Sequence, residues 1–572
     1  MNPFDAFRDQ VLRQLSGVLD LSLKEIESIL ERPPEGVGAD LALPCFFLSP
    51  KMRKDPRIIA SDVAGRLAGK PSSLIADVRA IGPYVNFYAD WDRMKMLLLK
   101  GILRQGDGYG SKKQKKPEKA MAEFCHANTH KAFHIGHVRN ICLGESIARI
   151  LEFSGSRVVR ANYQGDIGPH VAKCIWGLKK FYKGKPPKNV DKGVWLGEVY
   201  AKANNEAAGN EKLENEIKKI NAKLYAGDKN IAKIWKATRQ WSLDYYDSVY
   251  KDFGVKFNRL YFESQVEKPG KAAAMELLKK GVARRSQGAV VMDFEKEGLG
   301  VLVLVTQDGA PLYSAKDLGL ARLQSRERPD RILHIVGVEQ TMYFRQLFRT
   351  LGLMEPGLDK KEVHVSYELV NLPTGKMSSR TGSVITYDEL RAKLTELARK
   401  VTSQKNPRLR SRRLDKAARL VALGALKYGM LSVSPEKVIV FDWDRALSFE
   451  GNSAPYIQYS HARACSILRK ARFKGKGYDA KVLKNEEANA LLKQLAAFPE
   501  TVARAGHDLK PHYIASYAYE LAVKFNDFYE KCPVLKARPK ELRAARLALV
   551  AATRVVLCNA LRLLGIEAPE KM

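Results

Sequence analysis

The chain is predicted to be an α/β protein: a mostly parallel sheet layered with helices, an N-terminal α+β domain before it and a C-terminal α-helical bundle after it. Three observations predict this. From residue 118 to about 390, strand-like runs alternate with helix-like runs, the βαβ pattern that builds parallel sheets. Before residue 110, amphipathic helical patterns mix with short strands. Beyond about 390 the pattern is almost wholly helical, in long amphipathic stretches that suit a bundle.

The elements follow in order. Phe4–Leu19 and Leu23–Leu30 carry helical periodicity, and Leu41–Phe47 and Tyr84–Tyr88 read as short strands. Ser111-Lys-Lys-Gln-Lys-Lys-Pro117 reads as an exposed linker. Met121–Cys125 is an apolar strand, Ala127–His130 a turn, and Ile135–Phe153 a helix closed by Gly155. Arg157–Asn162 is the next strand, and Gly165-Asp166-Ile167-Gly168 turns the chain. Residues 183–250 are lysine-rich and helical, an insertion. Val363–Val370 is strand-like and leads into a Gly-flanked polar loop, Pro373–Gly382. Runs at 412–431, 454–470, 483–507, 512–530 and 540–564 form the bundle. The domains expected are therefore 1–110, 111–390 and 391–572.

Composition narrows the partners. The 572 residues hold 97 Lys plus Arg against 63 Asp plus Glu, a net charge of +34. An imbalance of that size points to a polyanion. The cysteines at 45, 125, 142, 174, 465, 532 and 558 are scattered, with no CxxC and no zinc-like spacing. Reduced thiols in the cytoplasm, with no protein-bound metal, are expected. The N-terminus carries Asp5 and Asp9 and lacks the apolar core of a signal peptide. Apolar stretches near 418–433 and 546–564 are interrupted by Lys427, Arg554 and Arg562, so no membrane span is expected.

Two short motifs carry the chemistry. His134-Ile135-Gly136-His137 opens a helix directly after a strand and turn, and Lys376-Met377-Ser378-Ser379-Arg380 lies in the polar loop. A helix N-terminus offers a positive dipole and unpaired N–H groups to phosphates. Two imidazoles at i and i+3 share one helix face and add donors. A basic loop can close from the other side. Gly136, lacking a Cβ, lets an adenine ring lie against the backbone. Separately, Tyr313 and Asp317 stand i, i+4 on one helix face, and Glu263 ends a strand-like run.

These motifs stand in longer blocks: ADLALPCF (39–46), AEFCHANTHKAFHIGH (122–137), NYQGDIGPH (162–170), DGAPLYSAKDLGLAR (308–322), HIVGVEQTMYFRQLF (334–348), SYELVNLPTGKMSSRTGSV (366–384) and FDWDRALSFEGNSAPYIQYSHARACSILRK (441–470). Long and collinear, they resemble the class I arginyl-tRNA synthetases over nearly the whole chain. The resemblance implies a tRNA-elbow domain, with Asn86 and Phe87 as candidate contacts, a Rossmann catalytic domain and a helical anticodon-binding domain. It implies that arginine and ATP give arginyl-adenylate, which passes to the terminal adenosine of tRNA(Arg), with Mg²⁺ travelling with ATP. Tyr313, Asp317 and Glu263 are then expected around the guanidinium, and Glu123, Asn128 and Gln340 at the α-amino and α-carboxyl ends. His134, Gly136, His137 and Lys376 are expected on ATP, with Met377, Ser378 and Arg380 in the catalytic loop. Tyr456, Tyr459 and Met572 are expected at the anticodon, where splayed bases stack on aromatic rings. The cluster of Tyr513, Tyr517, Tyr519, Phe525, Phe528 and Tyr529 has helical spacing and is expected in the core. One departure stands out. Class I loops usually read Lys-Met-Ser-Lys-Ser, but Ser379 replaces the second lysine here. Lys131, close to His134, is expected to take over part of its role, together with Lys376 and Arg380. The loop's wording looks archaeal or eukaryotic, and a monomer is expected. The rivals are a small-molecule nucleotidyltransferase, a non-catalytic RNA-binding paralogue and a class I synthetase for another amino acid, notably lysine.

Overall fold

The computed structural model describes residues 3–33, 38–69, 73–371, 385–407, 409 and 412–572. In the N-terminal domain, helices Pro3–Ser16 and Pro56–Leu67 cover an antiparallel sheet whose middle strand, Tyr84–Ala89, lies between Leu41–Pro44 and Ile75–Ile81. Phe7, Val11, Leu15, Ile59, Val63 and Phe87 fill its core. The Ile75–Ile81 strand was not legible: its Ile75, Val78 and Ile81 recur every third residue, and a bulge between Ile75 and Asp77 shifts the register. The Ser111–Pro117 linker is exposed but not loose, since Lys112 N donates to Phe153 O at 3.0 Å.

The central sheet has five strands: β1 Lys119–Glu123, β2 Arg157–Gln164, β3 Arg259–Phe262, β4 Arg331–Gly337 and β5 Glu362–Tyr367. Their spatial order is β5-β4-β1-β2-β3, and every pairing is parallel. The strand order reverses between β1 and β4, where a crevice opens outside the carboxyl ends of the strands. Register matters there: His334 on β4 lies directly beside Glu123 on β1. Helix Ile135–Phe153 follows β1 with the bounds predicted.

Two modules decorate the sheet. The lysine-rich insertion forms three helices, Lys192–Ala207, Glu211–Tyr225 and Lys229–Phe253. The second, unforeseen, is an antiparallel meander of Arg284–Ser286, Ala289–Phe294 and Gly300–Val305. It shares a small core with helices Tyr313–Ser325 and Thr341–Met354.

The C-terminal helices run Tyr387–Lys405, Arg412–Leu431, Ala454–Ala471, Glu486–Asp508, His512–Lys531 and Lys540–Leu563, close to the periodicity read from the sequence. Tyr517, Phe525 and Phe528 are buried in their core as expected, while Tyr529 is exposed. One continuous core joins this bundle to the sheet, from Leu98 and Ile141 to Leu426 and Leu561. Helix Lys540–Leu563 is long and apolar enough to cross a membrane by length and composition, with mean hydropathy 1.5, yet 83% of that window is buried inside the protein. All seven cysteines are free thiols, six of them buried.

Candidate active site

After β1 the chain turns back through strained backbone. Cys125, His126 and His130 hold φ of 84°, 54° and 65°, left-handed values that cost a non-glycine residue about 1–3 kcal/mol each. Hydrogen bonds pay that cost. His126 N donates to Asn162 Oδ1 at 3.1 Å, and the Tyr246 hydroxyl donates to the carbonyls of Asn128 and Lys131 at 2.6 and 2.9 Å. The His130 ring is buried between the hydroxyls of Thr129 and Thr238, at 2.9 and 2.7 Å, and so shapes the loop. The lysine-rich insertion supplies both Tyr246 and Thr238, so it braces the turn.

His134 is the N-cap of helix Ile135–Phe153. Its Nδ1 accepts from Gly136 N at 3.2 Å, and His137 Nδ1 accepts from His134 N at 3.2 Å. The two rings stack with centroids 3.7 Å apart. Burial, then the Lys131 charge, pushes His134 down to about 4. Burial and the neighbouring His134, His126 and Lys131 hold His137 well below its usual value. Both rings are therefore neutral at pH 7, and with Nδ1 accepting, each carries its proton on Nε2. The tetrad thus presents two oriented N–H donors rather than two cations. A Cβ on Gly136 would lie 3.0 Å from His134 Cε1, so the glycine also seats this ring.

Lys376, Met377, Ser378, Ser379 and Arg380 lie outside the described residues. The chain that follows them is pinned beside the tetrad: Ile135 N donates to Ile385 O at 3.4 Å and Tyr387 N to Phe133 O at 2.7 Å. Lys131 is half-buried with its Nζ 5.3 Å from the centre of the Tyr200 ring. Burial and Lys173 lower its pKa while Glu263 opposes them. Its charge in turn lowers His134, His137 and His170, so it stands between the tetrad histidines and Glu263.

Beyond the turn, at the β1/β4 reversal, is a cavity of about 230 Å³. Glu123, Glu263, Tyr313, Asp317 and Gln340 line it, five of the six residues expected around arginine. Asn128 does not. It sits at the edge, where its Oδ1 accepts from Gly165 N at 3.0 Å, and a Cβ on Gly165 would meet both Asn128 Oδ1 and Glu263 Oε1.

The carboxylates differ in one decisive respect. His334 lies between Glu123, at 3.3 Å, and Glu362, at 2.7 Å. Burial works against its charge, but the two carboxylates prevail and raise it to about 10. Burial likewise opposes the charge on Glu123, yet His334, His126 and Gln324 hold its pKa below the usual value. Glu263 is paired with Lys316 at 3.0 Å. Asp317 has no cation partner among the described residues, only the donated hydroxyl of Tyr343. Burial therefore raises it to about 7, against the Tyr343 hydrogen bond and with the help of Glu123. Asp317 is thus the one carboxylate lining the cavity that is in no ion pair among the described residues.

His334, Glu362, Lys316 and Tyr343 escaped the sequence reading. A lone histidine in an apolar strand reads as structural, and only strand register sets His334 beside Glu123. Replacing His334 with Leu is expected to leave two carboxylates without their cation and cost about 3–5 kcal/mol. His334 is raised, so its contribution is full below 6.5 and fades as pH climbs through about 10. Glu123 is lowered, so its contribution is present above 4.5 and lost as pH falls. Thermal unfolding of the two proteins should differ most between those limits, and a gap independent of pH would contradict the pairing.

The residues expected at the anticodon gather at one end of the bundle. Tyr459 is 40% exposed, with the Arg463 guanidinium 5.0 Å from its ring centre. Tyr456 is half-buried against Tyr519, ring centres 5.7 Å apart. The C-terminal tail crosses the same helix, Gln458 Nε2 donating to Glu567 O at 2.9 Å, and Met572 O accepts from Asn406 Nδ2 at 2.8 Å. Asn86 and Phe87 are buried in the N-terminal sheet. Among the basic residues between Lys400 and Arg413, Arg408 and Arg410 lie outside the described residues, and Lys405 pairs with Glu450 at 3.6 Å.

Comparison with known proteins agrees with this geometry. The family described as tRNA synthetases class I (R), catalytic domain, matches residues 98–443; the arginyl tRNA synthetase N terminal domain matches 5–89 and the DALR anticodon binding domain 457–572. An arginine–tRNA ligase of Bdellovibrio bacteriovorus is 36% identical over 557 residues, 96% of this chain and 95% of its own. One from Clostridium perfringens is 33% identical over 99% of this chain and 100% of its own. The solved Thermus thermophilus arginyl-tRNA synthetase superposes with a TM-score of 0.83 at 27% identity, covering 99% of this chain and all of that one. These relatives are bacterial, so the archaeal or eukaryotic character read from the loop finds no support in them. With the tetrad, the carboxylate-lined cavity and all three domain matches in the same collinear order, the chain belongs to the class I arginyl-tRNA synthetases.

Proposed function

We propose that Asp317 is the anionic anchor for the arginine guanidinium, and that His134, His137 and Lys131 receive the ATP phosphates. The enzyme is an arginine–tRNA ligase, consuming ATP to join arginine to tRNA(Arg). The observation that carries the site assignment is the pairing in the cavity: Glu263 is paired with Lys316, and Glu123 and Glu362 share His334, while Asp317 is in no ion pair among the described residues. A guanidinium entering beside Asp317 completes the set with a charge-assisted pair. Tyr313, whose ring centre lies 4.7 Å from that of Tyr343, stands at the mouth of the cavity, where Glu263 and Gln340 flank the entering side chain.

The arginine carboxylate attacks the α-phosphate in line and pyrophosphate leaves. No protein nucleophile takes part, so the chain contributes positioning and charge. The neutral Nε2–H donors of His134 and His137 meet phosphate oxygens without carrying a charge of their own. Lys131 supplies positive charge, joined by Lys376 and Arg380 from the loop. Mg²⁺ enters with ATP as part of the substrate; among the described residues no three His, Cys, Asp or Glu side chains converge to hold it. The enzyme is taken to act as a monomer, and buried free thiols suit the cytoplasm. Residues 1–110, 111–390 and 391–572 are assigned to elbow contact, activation and anticodon reading.

Pyrophosphate exchange against all twenty amino acids, with and without tRNA, tests the assignment: arginine alone should support it, and exchange with lysine would overturn it. At the tRNA end, Tyr459→Ala should weaken charging of full-length tRNA roughly tenfold, the scale of one base stack of about 1–3 kcal/mol, without changing the melting temperature. Tyr456→Ala should in addition lower stability, because its ring packs on Tyr519. Equal losses on full-length tRNA and an acceptor minihelix would rule out an anticodon role.

A further inference from the structure

We infer that the groove between helix Trp91–Gln105 and the far end of the helical bundle docks the phosphate backbone of the tRNA body, apart from the tyrosine end. The inference rests on the proposed function and adds a second RNA contact to it. A cavity of about 880 Å³ opens where the N-terminal helix Pro3–Ser16, helix Trp91–Gln105 and the bundle meet. Lys100, Arg104, Lys474, Lys476 and Arg554 line it, and among the described residues no carboxylate does.

None of these five cations is in an ion pair among the described residues. The rest of the same junction is different. Lys484 pairs with Asp92 at 2.9 Å, Lys493 with Asp40 at 3.8 Å and Arg32 with Glu500 at 2.5 Å. Where the domains are fastened together, cations have acids; around the groove they have none. Five like charges facing one cavity repel one another, and a polyanion relieves that repulsion.

The groove's chemistry fits a nucleic-acid backbone. In the Lys474-Gly475-Lys476-Gly477 loop both glycines have left-handed φ, +74° and +73°, and open space where a Cβ would stand. Backbone N–H groups in such a loop can approach phosphate oxygens closely, as side chains elsewhere cannot. Half-buried Phe473 and Tyr478 add ring faces beside the lysines. Helix Ala454–Ala471 joins this groove to the tyrosine end: Tyr456 stands in its first turn, and Leu468 lines the groove near its last. At 1.5 Å per residue the two are about 18 Å apart along the axis, a span that one RNA stem leading from a loop covers.

The test uses the full-length enzyme with Arg104→Ala, Lys474→Ala and Lys476→Ala combined, and a companion carrying Lys474→Arg and Lys476→Arg. Binding of full-length tRNA(Arg) is measured across a salt series, and charging of an acceptor minihelix is measured alongside. The alanine variant should bind full-length tRNA at least tenfold more weakly at low salt. Its log–log salt slope should be shallower by about 2–3, since each neutralised phosphate contributes about 0.9. The arginine companion should keep the wild-type slope, and minihelix charging should be unchanged in both. An unchanged affinity and slope overturns the inference, as does an equal loss on the minihelix. So does a groove that binds inorganic tripolyphosphate in the wild type while the tRNA slope ignores the substitutions, since that marks a small-anion site. Failure of the wild type to charge tRNA(Arg) with arginine would instead overturn the proposed function, leaving the slopes to judge the groove.

Discussion

Asp317→Asn is expected to raise the KM for arginine by about 10²-fold or more. A neutral amide keeps the shape and the Tyr343 contact but leaves the entering guanidinium without its counter-charge, and a buried cation so stranded costs a few kcal/mol. The wild-type pH dependence follows from the same group. Burial raises Asp317 to about 7, and arginine binds its ionised form. Arginine affinity should therefore fall as pH drops below about 7, approaching tenfold per unit, with about half a proton released per arginine bound at pH 7 and nearly one at pH 6. The stability sign is opposite. A carboxyl whose folded pKa is raised favours the folded state below its unfolded value of 3.8, and that advantage is lost as pH rises through about 7 in the free enzyme. Calorimetric titration of arginine between pH 6 and 8, in wild type and variant, checks both. A flat wild-type profile, or an Asn variant with unchanged KM and kcat, would assign the guanidinium elsewhere.

Lys131→Ala is expected to slow adenylate formation by roughly 10²-fold or more, the scale of losing one preorganised donor. A charge acting on the departing pyrophosphate works mainly in the transition state, so kcat should fall more than the KM for ATP rises. The half-buried ammonium stands against the Tyr200 ring, close enough to lower both tetrad histidines. Removing it should also raise the pKa of His134, which charge-sensitive NMR of the ring would read. Ser379→Lys in the same background should restore part of the rate if both positions converge on one phosphate. Single-turnover adenylation at the wild-type rate in Lys131→Ala would return this lysine to a bracing role beside the insertion, leaving Lys376 and Arg380 as donors.

Local patterns carried much of the architecture. Helix Ile135–Phe153 and the bundle helices begin and end within a few residues of their periodic runs, because each buries one face against a common core. Patterns failed where the period misleads or local order is weak. Ile75–Ile81 has helical spacing but pairs at a sheet edge, and Arg284–Val305 is a meander whose short strands alternate poorly.

By itself the sequence determined the order of the domains, the two-histidine helix start, the polyanionic partner implied by a charge of +34, and the family to which the collinear blocks belong. It also named five residues that the tertiary structure places around one cavity. Only the tertiary structure decided which carboxylate there stands without an ion-pair partner among the described residues. That choice depends on parallel-strand register, which sets His334 beside Glu123, and on helix packing that brings Lys316 to Glu263, contacts between residues far apart in the chain. It likewise decided that the tetrad histidines are neutral, because burial and a neighbouring lysine act through space rather than along the chain.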